Sequence, residues 1–514
     1  MGCLITKQSH HFVVSDFSDV EKSIFNQFAR KLIQFQSTRL RTGDIVRTPY
    51  KVFADSTLNP LTFRFHIEQL DEFIAYIESY GLRYDIVTQP MYEPALVDFP
   101  PVHEHFQPTG DFEYQVPIIE YICNDGYKKV ITLQTGRGKT AVFIHAMSRI
   151  GQRTALVLKP KYFERWIETI DSRSGKELLP LKAGRDVLTA RGSEELLSLI
   201  NLALANELTA SVIVISSNTY ADYLTNYRVD GANEKYGMLA PDKLWELLKV
   251  GLVGVDEGHE NFHANFKLDL YSHVPKIVTL SATLVPDDKF LQRMYEILYP
   301  SRLRMNGGAY IRYADMISVP YAIENLKQIN TTRRGRTDYS HLAFEESLLS
   351  TRNKKSLNNV YEMIKFDVEQ YFLKLRLPDH KLLIFFDSRA MCAEMEKRFK
   401  KDFPDLKIGK YTSDEDYSVL YELDIIIATT KSADTGVDIP RLQMVFCFVA
   451  RGSTQSNMQM FGRLRQLKNQ PRRPEFLYYY CPQITAHCNY HSHRQEVFKN
   501  KTVQMSERKT FCTI

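Results

Sequence analysis

Long apolar runs, a disulfide framework and a secretory leader are all missing from this sequence. No stretch of the 514 residues approaches the length of about 20 apolar residues that a membrane-spanning helix needs. The first residues lack the charged start and long apolar core of a signal peptide, and the seven cysteines are scattered along the chain. We therefore expect an intracellular, cytoplasmic protein in a reducing compartment, without membrane contact.

A strong charge excess of one sign is also missing, because 66 Lys and Arg oppose 61 Asp and Glu. The excess lies at the end of the chain, where the residues from Phe461 onward hold ten basic and three acidic side chains. A basic C-terminal tail over residues 483–514 suits a polyanionic partner and equally suits a solvated tail. The length and the 44% hydrophobic content predict roughly three to four domains of ordinary size, each with its own core.

Residues 129–140 predict a phosphate cradle, because a β-branched apolar strand runs into a glycine-flexed loop and then into a helix. The two glycines let successive backbone N–H groups point inward, Lys139 can reach β- and γ-phosphates, and the Thr140 hydroxyl can bind Mg²⁺. The predicted nucleotide-binding residues are Thr135, Gly136, Arg137, Gly138, Lys139 and Thr140. The general P-loop pattern has glycine where this chain has Leu133, so the alternative is a plain turn before a helix.

Gln115 precedes a helix that we expect beside this loop. Its side-chain amide offers both a donor and an acceptor, which suits adenine. Its position nineteen residues before Gln134 favours a nucleotide contact over an ordinary surface glutamine.

Two adjacent carboxylates follow the apolar strand that starts at Leu252. Asp256 lies 117 residues after Lys139, which is far enough for several β-α units. Behind a P-loop, Asp256 is expected to hold Mg²⁺ together with Thr140, and Glu257 is expected to orient or deprotonate the attacking water. The alternative is capping of the next helix.

Two further strands end in residues that suit phosphate contacts. One strand leads into Pro160 and Lys161, and another ends in a hydroxyl-rich stretch with Ser216 and Thr219. Ligands bind at this edge of a parallel sheet, and hydroxyls and basic side chains suit phosphate oxygens. Ser216 or Asn218 can also cap the following helix, and both roles can hold together.

The order of these elements resembles that of a superfamily-two helicase. Residues 256–259 match the Asp-Glu-x-His form of the second nucleotide motif, and Ser281-Ala282-Thr283 ends a later strand. The resemblance covers about residues 112–480. It implies an α/β fold of two tandem RecA-like parallel-sheet lobes with ATP in the cleft between them. The expected lobes span residues 109–298 and 351–482, with 299–350 as a basic connection or insertion.

The resemblance also assigns residues of the second lobe. Ser388 stands in the fourth motif, and Thr429 and Thr430 precede the fifth. These residues, with Pro160, Lys161, Ser216 and Thr219, are implied to contact the nucleic-acid backbone. Gly436 and Asp438 are implied to face the nucleotide.

Residues 459–466 resemble the sixth motif, whose arginines reach the γ-phosphate. The family usually has its second arginine three residues after the first, but this chain has Gln466 there and Arg465 one residue earlier. Arg463 is therefore the better-placed arginine finger, and either arginine or both could serve. The implied catalytic residues are Lys139, Glu257, Arg463 and Arg465.

Residues 1–108 are expected to form a small N-terminal α+β domain. Helical spacing covers residues 20–35 and 70–80, while residues 62–67 alternate like a strand. Basic residues in its first half, interleaved with Phe and Tyr, suit a nucleic-acid face or an ordinary charged surface.

A cluster of cysteines and histidines follows the last predicted strand. Its members are Cys481, His487, Cys488, His491 and His493. Their spacing fits no tetrahedral zinc pattern, so a histidine-bearing loop and tail is favoured over a zinc site.

Within the superfamily, the compact core, the small N-terminal domain and the Tyr114-Gln115 pair resemble the phage UvsW-type helicases, close to the RecG and XPB group. This resemblance implies ATP- and Mg²⁺-dependent unwinding or branch migration of branched or forked DNA in recombination, repair or replication. The location is then the host cytoplasm if the protein is phage-encoded. An RNA helicase is the enzymatic alternative, and a non-catalytic nucleic-acid-binding clamp is the alternative from another class. Protein partners are not indicated.

Overall fold

The computed structural model describes the whole chain except residues 1, 40–44, 59–60, 176, 283, 285, 287, 309, 334–337, 413–418, 433–438, 468–471 and 509–511. The chain divides into two compact units, Met1–Gly308 and Ala309–Ile514. Over the described ranges, every helix is too short or too polar to cross a bilayer.

The N-terminal residues form a small α+β layer. Its elements are β1 (Cys3–Lys7), β2 (His11–Ser15), α1 (Asp19–Arg30), β3 (Ile33–Arg39), β4 (Ile45–Val52), β5 (Asp55–Leu58), β6 (Leu61–His66), α2 (Leu70–Glu78) and β7 (Tyr84–Thr88). Five strands pair in the order β5-β6-β2-β1-β7, and β3 and β4 form a separate two-stranded ribbon. Ser18 caps the start of helix α1, because the Ser18 hydroxyl and the Glu21 carboxylate each accept a backbone N–H of the other residue.

This N-terminal layer shares its core with the lobe that follows. Phe53 packs against Phe262 and Phe266, with ring centroids 5.8 and 5.0 Å apart. Beside them the buried Asp269 carboxylate accepts from Lys128 Nζ at 2.7 Å, and His66 Nε2 lies 3.2 Å away. Burial opposes the Asp269 charge, but the Lys128 ammonium and the hydrogen bond to His66 lower the pKa of Asp269 to about 2. The layer therefore belongs to the first compact unit.

The first lobe is a seven-stranded sheet in which every pair of neighbours is parallel. Its elements are α3 (Val116–Cys123), β8 (Lys128–Thr132), α4 (Lys139–Ile150), β9 (Thr154–Leu158), α5 (Phe163–Ile170), β10 (Val187–Ala190), α6 (Ser193–Leu204), β11 (Val212–Ser216), α7 (Ser217–Asn226), α8 (Leu244–Leu247), β12 (Leu252–Val255), α9 (Phe262–Leu270), β13 (Lys276–Ser281), α10 (Lys289–Leu298) and β14 (Arg304–Asn306). The strand order is β10-β11-β9-β12-β13-β8-β14. The strands β9, β11 and β12 are buried, mostly apolar runs, as expected where helices cover both faces of a parallel sheet.

The second lobe is also a seven-stranded, all-parallel sheet. Its elements are β15 (Asp315–Pro320), α11 (His341–Leu349), α12 (Lys354–Asp367), β16 (Lys381–Phe386), α13 (Arg389–Asp402), β17 (Ile408–Tyr411), α14 (Val419–Glu422), β18 (Ile425–Thr429), β19 (Leu442–Cys447), α15 (Thr454–Phe461), β20 (Glu475–Tyr480), α16 (Thr485–Phe498) and β21 (Met505–Glu507). The strand order is β17-β18-β16-β19-β20-β15-β21. The predicted α/β class, with two tandem RecA-like parallel-sheet lobes, is confirmed. The N-terminal α+β residues belong to the first compact unit together with the first lobe.

Residues 299–350 and 483–514, which we expected to form a connection and a tail, contribute strands to the two sheets. Within residues 299–350, β14 pairs with β8 of the first sheet and β15 pairs with β20 of the second. Within residues 483–514, β21 pairs with β15. These strands are short or partly polar, so their hydrophobic pattern is weak, and only the neighbouring strand makes them extended.

Candidate nucleotide site

The loop between β8 and α4 has the backbone that a phosphate cradle needs. Gly136 and Gly138 have φ angles of 83° and 78°, in the left-handed region that only glycine adopts freely. A Cβ atom at Gly138 would lie 2.5 Å from Nε2 of Gln115, so a side chain there would displace the Gln115 amide. Helix α4 begins directly at Lys139, which leaves its first N–H groups pointing at the loop.

Tyr114 and Gln115 brace this loop from the side. The Tyr114 hydroxyl donates to the Arg137 carbonyl at 2.8 Å, and the Gln115 amide donates to the same carbonyl at 3.3 Å. The Arg137 guanidinium lies 3.8 Å from the centre of the Tyr114 ring. The structure thus brings Gln115 to the predicted cradle, where it fixes the loop backbone, and its contact with adenine stays a prediction.

The two predicted acids follow β12 directly and meet the loop lysine. The Lys139 ammonium forms an ion pair with the Glu257 carboxylate, although the two residues are 118 positions apart. Trp166 Nε1 donates to Asp256 Oδ2 at 2.9 Å, and the Glu257 N–H donates to Asp256 Oδ1 at 2.9 Å. The parallel sheet therefore brings the lysine and both acids to its carboxyl edge, as the sequence predicts.

The surroundings give the two acids opposite pKa shifts. Burial raises the pKa of Asp256, and the adjacent Glu257 charge adds to that rise. Burial also opposes the charge of Glu257, but the Lys139 ammonium and His259 outweigh it and hold the pKa of Glu257 below its ordinary value. Glu257 is therefore ionised at neutral pH and able to accept a proton.

The turn that carries these acids is strained and tightly enclosed. Glu257 has a φ angle of 47°, which is unusual for a residue with a side chain. A Cβ atom at Gly258 would lie 2.2 Å from Thr279 Cγ2, so only glycine fits there. His259 Nδ1 lies 2.8 Å from the Ser281 hydroxyl, and this contact joins the turn after β12 to the end of β13. Thr283 lies outside the described residues.

The oxygen atoms present here suit a magnesium ion. Mg²⁺ prefers carboxylate, hydroxyl and water oxygens and keeps several waters. Asp256 supplies a carboxylate held in place by Trp166, and Thr140 supplies a hydroxyl on the first turn of α4. Asp256 and Thr140 are the residues that would hold the ion, which supplies charge neutralisation for phosphate oxygens when bound.

The predicted phosphate-contacting residues of the first lobe lie at the carboxyl ends of β9 and β11. Pro160 and Lys161 form a 3₁₀ turn after β9, where the Lys161 ammonium lies 3.4 Å from Glu260 Oε1. The Ser216 hydroxyl caps α7 by accepting the Thr219 N–H, and the Thr219 hydroxyl donates to the Arg191 carbonyl at 2.9 Å. The capping role of Ser216 is therefore observed, and a nucleic-acid contact stays a prediction.

The corresponding residues of the second lobe also have local partners. The Ser388 hydroxyl caps α13, and the Ser388 N–H donates to the buried Glu345 carboxylate at 2.6 Å. The Thr429 hydroxyl lies 2.7 Å from that of Ser432, and the Thr430 hydroxyl donates to Asp387 at 3.3 Å. The predicted nucleotide-facing Gly436 and Asp438 lie outside the described residues.

Arg463 and Arg465 lie beyond the end of α15, which stops at Phe461. Arg463 is 4% exposed, and its Nε donates to the Gln459 carbonyl at 3.3 Å. Arg465 is half-buried and donates to the Gly462 and Leu464 carbonyls. Regular helical spacing therefore does not set the directions of these two side chains.

The three histidines of the C-terminal cluster each hydrogen-bond to a different residue. His487 Nδ1 accepts the Cys481 N–H at 3.0 Å, His491 Nδ1 lies 2.8 Å from the Tyr478 hydroxyl, and His493 Nε2 lies 2.7 Å from the Thr454 hydroxyl. Among the side chains that the structure describes, no three His, Cys, Asp or Glu residues gather as a metal-ligand set.

Sequence reasoning missed three contacts of this site. These are the Trp166 bond to Asp256, the Tyr114 bond to the loop, and the contacts of Glu260 with the basic turn after β9. Trp166 and Tyr114 lie close in sequence to the predicted site residues, and this closeness could have indicated their contacts. The sequence contains no such indication for Glu260, because an acid after His259 is typical of an ordinary surface.

Glu257→Gln should separate nucleotide binding from hydrolysis. The change removes the proton acceptor but keeps Lys139 and Asp256, so we expect near-normal or tighter ATP binding and a fall in turnover of about 10² to 10⁴. Binding of a fluorescent ATP analogue and steady-state phosphate release measure the two quantities. A loss of nucleotide affinity as large as that caused by Lys139→Ala would show that Glu257 is not the base.

Comparison with known proteins finds no matching protein-family model and no matching curated protein. Solved structures do align with the chain. S. cerevisiae Dbp5 bound to RNA and ADP BeF3 is 12% identical, covering 78% of this chain and 90% of that one, with a TM-score of 0.48. The Pyrococcus furiosus Hef helicase domain is 15% identical, covering 77% and 100%, with a TM-score of 0.43. Mycobacterium smegmatis Lhr bound to ssDNA and AMP-PNP is 16% identical, covering 76% and 47%, with a TM-score of 0.45. The chemistry of the site therefore rests on the chain's own residues.

Proposed function

We propose that this chain is an ATP-dependent DNA helicase or translocase that unwinds or branch-migrates branched or forked DNA. The observation that carries the proposal is the convergence of Lys139, Asp256 and Glu257 at the carboxyl edge of a parallel sheet, beside a glycine loop that opens a helix. In a P-loop enzyme this arrangement binds a triphosphate, holds Mg²⁺ and orients the attacking water.

The same geometry favours an enzyme over a clamp that only binds. A clamp needs the phosphate cradle but has no use for an ionised general base. Here the Lys139 ammonium keeps Glu257 charged, and Trp166 holds Asp256 in one orientation. Both acids are thus prepared for hydrolysis as well as for binding.

The β3–β4 ribbon is the N-terminal surface that best suits a nucleic acid. Its described side chains include Arg47 and Lys51, and the two strands contain no Asp or Glu. Phe35 and Tyr50 expose 48% and 58% of their surface. A basic ribbon with exposed aromatic rings offers phosphate neutralisation together with base stacking. We propose that this ribbon contacts the DNA.

Removing the ribbon's charge should weaken DNA binding without affecting basal hydrolysis. For the double variant Arg47→Ala/Lys51→Ala we expect the affinity for a forked duplex to fall by about tenfold at moderate salt, with the salt slope reduced by about 2. The matched control is Arg185→Ala/Lys243→Ala, which removes two surface cations paired with Asp186 and Glu246. Unchanged fork affinity and slope in the ribbon variant would contradict the proposal. Deletion of residues 1–101 is unsuitable, because Phe53 belongs to the core of the first unit.

The proposed function is tested by measuring ATPase rates with single-stranded DNA, duplex DNA, forked DNA and RNA side by side. Greatest stimulation by forked DNA, with ATP-dependent unwinding, supports the proposal. Greatest stimulation by RNA would make the protein an RNA helicase. Nucleic-acid binding without any ATP hydrolysis would make it a clamp.

A further inference from the structure

Three side chains of the turn after β9 converge on one carboxylate. The Lys159 ammonium forms an ion pair with Glu260 Oε2, the Lys161 ammonium lies 3.4 Å from Oε1, and the Tyr162 hydroxyl donates to Oε1 at 3.0 Å. The Glu260 side chain is only 9% exposed, whereas those of Lys159 and Lys161 are 29% and 40% exposed. The basic turn is therefore open to solvent, and an internal acid engages it.

Glu260 belongs to the same turn as the catalytic acids. Its N–H donates to the Glu257 carbonyl at 2.7 Å, and its own carbonyl accepts from the Asn265 amide at 2.8 Å. Asn261, which follows it, has a φ angle of 52°. A displacement of Glu260 therefore acts on a short, strained backbone segment that also carries Glu257.

The contacts of Glu260 are those that a phosphodiester would receive. A carboxylate and a phosphodiester each carry one negative charge and two oxygens that accept charge-assisted hydrogen bonds. Two ammonium groups and a phenol hydroxyl at the carboxyl edge of the sheet suit either anion. A carboxylate and a phosphodiester cannot occupy the same positions at once. The internal acid therefore competes with an external phosphate for the two ammonium groups and the hydroxyl.

We propose that Glu260 occupies the place of a nucleic-acid phosphodiester on Lys159, Lys161 and Tyr162, and that bound nucleic acid displaces it. This inference rests on the proposed function. The displacement releases the Glu260 carboxylate, which lies three residues from Glu257. Binding of nucleic acid to Lys159 and Lys161 is thereby linked to the turn that carries Glu257. The ion pair between Lys139 and Glu257 is a similar case, because the phosphates of ATP would compete with Glu257 for the Lys139 ammonium.

Two consequences follow from this competition. Nucleic acid binds more weakly than the two lysines alone would allow, because Glu260 must first be moved. Hydrolysis without nucleic acid is held low, because the turn that carries Glu257 stays tied to the lysines through Glu260. Loss of the Glu260 charge should therefore tighten nucleic-acid binding and raise basal turnover together.

The test uses Glu260→Gln, which keeps the side-chain shape and removes the charge. We expect the affinity of the nucleotide-free protein for fluorescein-labelled single-stranded DNA to increase by about tenfold, the effect of one hydrogen bond to a charged group. We also expect basal ATPase to rise and the ratio of stimulated to basal rates to fall. Glu164→Gln is the matched control, because Glu164 pairs with Arg191 on the same lobe at a site 70% exposed.

A double-mutant cycle separates competition from a general change in charge. In a Lys159→Ala/Lys161→Ala background, Glu260→Gln should no longer tighten DNA binding, because the two ammonium groups for which Glu260 and DNA compete are gone. Tightening of equal size in both backgrounds would show that the effect is long-range electrostatics and would overturn the proposal.

The remaining outcomes are equally decisive. Wild-type affinity and wild-type stimulation in Glu260→Gln would show that Glu260 does not compete. Weaker binding would show that Glu260 positions the lysines for DNA, which also overturns the proposal. If the unaltered protein neither binds nor responds to any nucleic acid, the proposed function itself fails, and this result is distinct because it appears before any substitution.

Discussion

Lys139→Ala should lower the turnover of ATP by at least about 10³-fold while the protein stays folded, because the ammonium that stabilises charge on the transferred phosphate is lost. Lys139 lies at the start of α4 and pairs with Glu257, so it contributes little to the apolar core. The loss also leaves the Glu257 charge without its ammonium, which raises the pKa of that acid.

Steady-state phosphate release measures this loss, and thermal unfolding shows whether the fold survives. Lys289→Ala is a matched control, because Lys289 is likewise the first residue of a helix in the same unit but lies on an exposed surface. Near-normal turnover in Lys139→Ala would rule out the phosphate cradle. A large drop in unfolding temperature would instead show that the ion pair with Glu257 supports the structure.

Arg463→Ala should lower nucleic-acid-stimulated turnover by about 10³-fold with little loss of ATP binding, because an arginine finger acts on charge that grows in the transition state. The sequence favours Arg463, because residues 459–466 resemble the sixth helicase motif and the place of its second arginine holds Gln466. Its burial and its bond to the Gln459 carbonyl hold the guanidinium in one orientation, which favours a preorganised contact.

Arg465→Ala should lower stimulated turnover by a smaller factor, because the Arg465 guanidinium already donates to the Gly462 and Leu464 carbonyls. Arg463→Lys serves as the companion variant that keeps the charge but loses the planar fork, and unfolding temperatures show whether either change disturbs the second lobe. The opposite ranking of the two alanine variants in stimulated ATPase would assign the finger to Arg465. It would also place the motif two residues further along the chain.

The local parts of the site were predictable from short stretches of sequence. Gly136 and Gly138 predict a loop with left-handed backbone, and both have positive φ angles. The apolar run before Asp256 predicts a strand that ends in acids, and β12 ends at Val255. These features depend on residues within a few positions of each other, so sequence pattern and backbone sterics suffice.

The second lobe shows the limit of local pattern. Helical periodicity would place Arg463 and Arg465 about 200° apart on one helix, but α15 ends at Phe461 and both arginines lie beyond it. Gly462 caps the helix by donating to the Met458 carbonyl, and this cap is a matter of local geometry that the motif does not state. The directions of the two side chains therefore depend on the packing of the second lobe.

By itself, the sequence determined the glycine loop and the strand that ends in two acids, because hydrophobic period and turn chemistry act over short distances. The two parallel-sheet lobes were expected from the resemblance of the motifs to those of a superfamily-two helicase. The order of strands was decided only by the tertiary structure, which puts β12 between β9 and β13. That order brings Trp166 to Asp256, which is 90 residues away, and Lys161 to Glu260, which is 99 residues away. It likewise joins Phe53 to Phe266, so the N-terminal layer shares a core with the first lobe. Contacts of this kind depend on which surfaces bury one another, and no local pattern contains that information.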